Sequence, residues 1–239
     1  PTCHVGPVSR LPSLSILQDE INEMGFLRYL ACHILNGDLI IATAGKNKNA
    51  LIWNVSKNIL MSNISLRCDL YKVFLIKVRG ELMAICSTTD NEICIYNLRK
   101  TKIICIIEGN LQHAEESQYF GGPICLIQQK HSPIIVFDLL SLQIIYTIES
   151  VPELIIEATF SADRSPFFYV STLCLREEKN TIQCLSLQSP TYSKIMFNGN
   201  SMNRARRLHT ARNYLISGHL DGAINLWNTS TGDILWNFI

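Results

Sequence analysis

Net charge, long apolar runs and paired metal-ligand spacings are all missing from this sequence of 239 residues. Its 21 Lys and Arg stand against 20 Asp and Glu, so no global field draws the chain toward a nucleic-acid backbone or an acidic membrane surface. No apolar run approaches the roughly 20 residues that span a bilayer. The first residues, PTCHVGPVSR, lack the pattern of a signal peptide. Gly-rich phosphate loops and the G-x-S-x-G nucleophile elbow are also absent. Cys3-His4 and Cys32-His33 are adjacent pairs, and neighbours along a strand point to opposite faces, so neither pair serves one metal. No catalytic residue, metal or cofactor is expected.

What is present is apolar: 47% of the residues are hydrophobic and only 17% charged, enough to bury the core of one large all-β domain. The nine cysteines are odd in number, scattered, and set in apolar runs such as ICIY and KIICII. They read as buried free thiols, which places the protein in a reducing compartment, cytoplasm or nucleus. The sequons at Asn54, Asn63 and Asn228 are then chance matches.

Residues 1–25, with Pro1, Pro7 and Pro12, read as a connector or incoming edge segment. From Phe26 onward, short apolar strands alternate with polar turns, the spacing of an all-β repeat. Its anchor is an aromatic followed by Asn or Asp: Trp53-Asn54, Tyr96-Asn97, Phe137-Asp138, a degenerate Leu185-Ser186, and Trp227-Asn228. The anchors lie 43, 41, 48 and 42 residues apart, and each is followed by a polar turn and a further strand. Five units result, at about 26–64, 68–108, 122–150, 153–197 and 204–239. Six residues before each anchor stands a turn residue: Asn47, Asp90, His131, Lys179 and Asp221. The stretches Gly109 to Gly122 and Leu175 to Asn180 read as loops, and His131 and His219 as solvated turn histidines.

The last unit, YLISGHLDGAINLWNTSTGDILWNFI, resembles a WD-repeat, the four-stranded blade of WD40 β-propellers, and the period matches that family. The resemblance implies a polar set of Ser or Thr, Asp, Trp and His in each blade. Ser217, Asp221 and Trp227 match it in the last unit, Thr43 and Trp53 in the first, while Asp90 keeps the turn aspartate of the second. No histidine stands ahead of the first strand near Gly25 or Gly199, so apolar packing has to hold the blades together. The implied function is a non-catalytic scaffold that docks protein partners in an intracellular complex. WD propellers close with about six to eight blades. The five units are therefore expected to belong to a larger ring, completed by absent sequence or by a partner chain.

One compact charged feature stands out, SMNRARRLHTAR, with Arg204, Arg206, Arg207, His209 and Arg212. On a propeller it falls on the loop into the fifth unit and on that unit's first strand, at the rim of the central channel. It is a candidate grip for an acidic or phosphorylated peptide, or for nucleic-acid phosphates. Pairing with Glu177, Glu178 or other acids is the alternative.

Overall fold

A computed structural model describes residues 27–238, apart from residues 47, 118, 129–132, 149–153, 162–165, 175–178, 189–192 and 201–204. The connector read at residues 1–25 lies outside the described residues. So do Arg204, Asn47 and His131.

Every regular element described is a β-strand, and the strands group in chain order into five antiparallel four-stranded sheets. Blade 1 is β1 (Leu27–Leu35), β2 (Asp38–Gly45), β3 (Asn49–Asn54) and β4 (Ile59–Ser65). Blade 2 is β5 (Leu70–Val78), β6 (Glu81–Thr88), β7 (Glu92–Asn97) and β8 (Lys102–Glu108). Blade 3 holds β9 (Asn110–Ser117), β10 (Gly122–Gln128), β11 (Ile134–Asp138) and β12 (Gln143–Ile148). Blade 4 holds β13 (Leu154–Phe160), β14 (Phe167–Cys174), β15 (Lys179–Ser186) and β16 (Ser193–Asn200), and blade 5 holds β17 (Ala205–Ala211), β18 (Tyr214–His219), β19 (Ile224–Asn228) and β20 (Ile234–Phe238). The fold is an all-β arrangement of propeller blades.

Local chemistry explains the repeat. The Asn or Asp after each aromatic anchor folds the turn between the third and fourth strands by accepting backbone N–H groups. Asn54 accepts from Lys57, Asn97 from Lys100, Asp138 from Ser141, and Asn228 from Thr231. In blades 1 and 2 the same amide also donates to an acid at the start of the second strand, Asn54 to Asp38 and Asn97 to Glu81. The Asn54 sequon is thus a buried side chain already engaged. At the same end of the blade, Asn36-Gly37 joins β1 to β2 with φ values of 53° and 87°, the left-handed pair that a two-residue turn between twisted strands requires.

Apolar clusters join consecutive blades. Ile40, Ala42 and Ile52 of blade 1 pack on Leu70, Val73 and Ala84 of blade 2. Ile85 and Ile95 pack on Ile127 and Val136's neighbour Ile135 in blade 3. Leu126 and Val136 meet Phe160 and Val170 of blade 4, and Tyr169 and Ile182 meet Leu215 and Trp227 of blade 5. Each fully buried Ile or Leu stabilises by about 1.5–3 kcal/mol. The anchors Tyr96, Phe137, Leu185 and Trp227 all face the preceding blade, whereas Trp53 is buried with Leu51 and Val55. No buried cluster among the described residues joins blade 5 to blade 1. The far face of blade 5 presents Ile216, Ile224, Trp236 and Phe238 to solvent, with the Trp236 ring stacked on Phe238.

Several expectations need correction. The stretch Gly109 to Gly122 is not a long loop: it contains β9, and blade 3 begins at Asn110 rather than at 122. The polar sequence NLQHAEES hides a strand because an innermost strand borders the channel and need not be apolar on both faces. Its entry is a single residue, Gly109, at φ 142°, where an added Cβ would lie 2.6 Å from the Ile127 side chain. Lys179 is not a turn residue but the first of β15, paired with Cys174, because the central hairpin of blade 4 is extended. The same extension displaces the fourth anchor. The irregularity that precedes Trp53, Tyr96, Phe137 and Trp227 in the pairing of third with fourth strand falls before Gln183, not before Leu185.

Candidate functional site

The innermost strand of every blade carries a bulge near its outer end. Pairing shifts between Leu27 and Tyr29, Leu70 and Lys72, Leu111 and His113, Ile155 and Glu157, and Ala205 and Arg207. A bulge re-aims the side chain that follows it. The post-bulge residues Tyr29, Lys72, Glu157 and Arg207 occupy equivalent register positions around the channel, whereas the bulge of blade 3 lies deeper and sets His113 one level further along, beside Phe74.

Four of the five blades meet in one polar network there. The Glu157 carboxylate accepts from Arg207 Nη1 at 2.9 Å and pairs with Lys72 Nζ at 3.5 Å. Lys72 Nζ also donates to the Gln112 carbonyl of blade 3 at 3.3 Å. Lys72 and Glu157 are each 3% exposed, whereas the Arg207 side chain is 58% exposed and reaches the surface. Burial holds the Lys72 ammonium below its ordinary pKa, Glu157 opposes this, and Arg207 adds to it. Blade 1 joins through Tyr29, whose ring lies 4.7 Å from the Arg207 guanidinium carbon. Burial first, and then Glu157, push the Tyr29 hydroxyl above its usual range, against the pull of Arg207.

Above this network opens a cavity of about 840 Å³. Its walls include Arg28, Lys72, Arg206 and Arg207, with Tyr29 and Tyr71 beside them, and none of the described lining residues is acidic. The turn after β6, at Thr88 and Thr89, completes the rim. A second cavity of about 360 Å³ lies further along the channel, lined by Phe74, His113, Glu115, Glu116 and His209 among others. His113 Nε2 lies 3.1 Å from Glu115 there.

The arginine-rich segment is therefore divided. Arg206 and Arg207 line the large cavity, His209 the small one, and Arg212 sits at φ 53° in the turn after β17, at the opposite end of the strand. At about 3.3 Å per residue, Arg207 and Arg212 are roughly 16 Å apart. Arg28 and Lys72 complete the cationic wall, and sequence reasoning missed both. The signal for Lys72 was a charge on the apolar face of the strand LYKVFLIKV, whose other lysine, Lys77, is exposed, matched by Glu157 in LIIEATF.

The polar set implied for the last blade forms with a different membership. Trp227 Nε1 donates to Ser217 Oγ at 2.8 Å, as the resemblance implied. The histidine is His219 of the same blade, buried on β18, with Nε2 2.7 Å from Ser217 Oγ and 3.1 Å from Asn225 Nδ2. It is not a solvated turn residue. Asp221 is exposed and does not face Ser217; its Oδ1 accepts from Ala223 N and caps its own turn. In blade 1, Thr43 Oγ1 donates to the Leu51 carbonyl, and the buried Trp53 Nε1 has no hydrogen-bond partner among the described residues. Asp90 accepts from Cys68 Sγ at 2.7 Å.

No protein-family model matches the sequence, and no curated protein matches it. Among solved structures, 89% of the chain superposes on 63% of a chain of the mitotic checkpoint complex, with TM-score 0.62 and 14% identity. The same share superposes on 61% of the computationally designed Ika8 protein, with TM-score 0.61 and 12% identity. The chain thus spans less than two thirds of the length of either neighbour, and the likeness is one of fold: five four-stranded propeller blades.

Proposed function

We propose that this chain is a non-catalytic, WD-repeat-type interaction scaffold, a subunit of an intracellular assembly in cytoplasm or nucleus, docking a protein partner at the cationic mouth of its channel. The observation that carries this reading is the 840 Å³ cavity, walled by four cations from three blades and, among the described residues, by no acid. Stacked blades make a rigid frame on which such a mouth binds without chemistry. That one structural neighbour belongs to a multiprotein complex agrees with the reading. The Ser217–His219 contact has the composition of a nucleophile and its base. Ser217 is fully buried, however, and its oxygen already accepts the Trp227 indole, so a substrate has no path to it. Further blades, from the same polypeptide or a partner, would cover the exposed Ile216, Ile224, Trp236 and Phe238.

Nucleic acid is the second reading. It draws less support, because a phosphate backbone is tracked by a stripe of cations, and Arg206 and Arg207 lie at the other end of β17 from Arg212. A photo-crosslinking amino acid placed at position 206, and separately at position 212, tests the docking reading in cells. Protein adducts confined to position 206 are expected. Adducts at 212 alone, or RNA adducts at both, would overturn it.

A further inference from the structure

We infer that the group seated in the channel mouth is a phosphate monoester, carried on a phosphorylated serine or threonine of the partner segment. This rests on the docking reading above and goes further by fixing the ligand's charge and shape. Glu157 is, among the described residues, the carboxylate paired with the cluster, and it is already shared by Lys72 and Arg207 beneath the cavity floor. Among the described residues, Arg28 and Arg206 have no ion pair. Among these residues, four cations against one carboxylate leave an excess of positive charge facing an open cavity.

A carboxylate side chain would bring one charge and two oxygens. A phosphate monoester brings about two negative charges and three acceptor oxygens, which suits guanidinium forks arriving from different sides. Arg28 enters from β1 and Arg206 from β17, at the matching bulge position of each strand, so they approach the cavity from two different blades. The cations converge on one cavity instead of following a track, which favours a single phosphate on a peptide over a nucleic-acid backbone. Leu27, Tyr71 and Ile156 add apolar wall for the neighbouring peptide side chains.

The test uses the whole chain and three labelled peptide pools, degenerate except at one central position fixed as phosphoserine, serine or glutamate. Binding is read by fluorescence anisotropy, with inorganic phosphate and a short single-stranded DNA as competitors. The phosphoserine pool should bind at least about tenfold more tightly than the serine pool and more tightly than the glutamate pool. Arg28→Ala and Arg206→Ala should each remove about tenfold of that affinity, and Arg212→Ala should leave it unchanged. Inorganic phosphate should compete and DNA should not. Equal binding of the three pools, a phosphoserine preference that survives both substitutions, or DNA that displaces the peptide more effectively than phosphate would overturn the inference. Protein crosslinks at position 206 without a phosphoserine preference would leave the docking reading standing and remove only the phosphate.

Discussion

Arg207, in the last blade, lies over the Tyr29 ring of the first at 4.7 Å while its Nη1 holds the Glu157 carboxylate of the fourth at 2.9 Å. One exposed guanidinium thus ties the first blade to the fourth and fifth. The buried member behind it, Lys72, depends on Glu157 for its counter-charge.

Removing that carboxylate should be costly. Glu157→Gln leaves a buried ammonium without its pair, and breaking such a pair costs about 3–5 kcal/mol. Urea unfolding should show this loss, and Glu81→Gln, at an exposed pair, should cost far less. Equal small effects would mean that the channel network contributes nothing to stability.

Ser217→Ala removes the acceptor of a buried indole N–H and one partner of His219, which should lower stability by about 1–3 kcal/mol. Asp221→Ala removes only an exposed turn cap and should cost less. Thermal unfolding of both variants decides the membership of the network: a larger loss at Asp221 would restore the family-type arrangement in place of the His219 one.

Acid should weaken the blades at their turns. Hydrogen bonds from Lys57 and then Asn54 hold the Asp38 carboxyl below its ordinary range, and a hydrogen bond from Asn97 does the same for Glu81, ahead of Lys100 and Arg99. Both folded-state pKa values are depressed, so the stabilisation is present above the unfolded values and is lost as pH falls through the folded ones. Chemical denaturation at a series of pH values should show stability falling below about pH 4. Asn54→Ala with Asn97→Ala should flatten that fall. An unchanged acid limb in the double variant would contradict the assignment.

Thiol reactivity should follow burial. Burial, and then Cys94, push Cys86 up to about 12, and burial raises Cys125 as well, whereas Cys32 is exposed. Alkylation at pH 8, read by mass spectrometry, should label Cys32 in the native protein and reach Cys86 and Cys125 only after unfolding. Native labelling of Cys125 at the rate of Cys32 would contradict the packing between blades 2 and 3.

The blades were legible in the sequence because their signals are local. Aromatic-Asn pairs such as Trp53-Asn54 and Tyr96-Asn97 fold turns within three residues, and the apolar third strands pack blade on blade. Where the signal depends on the channel, reading failed. Asn110–Ser117 is polar because it borders the channel, and so it resembled a loop. Of the site, Arg206 and Arg207 were visible as a cluster, but a linear cluster does not reveal that β17 sends Arg212 to the other end. Arg28 and Lys72 reach the same cavity from blades 1 and 2 through bulges that carry no sequence signature.

The central claim is that the first and last blades build one docking mouth. Quantitative capture of partners from cells by chains carrying Arg28→Ala, Arg206→Ala or Arg212→Ala, each first shown to unfold at the wild-type temperature, tests it most directly. The account predicts that one set of co-purifying proteins is lost with either Arg28→Ala or Arg206→Ala and retained with Arg212→Ala. Retention of every partner by both mouth variants, or equal loss with Arg212→Ala, would contradict it.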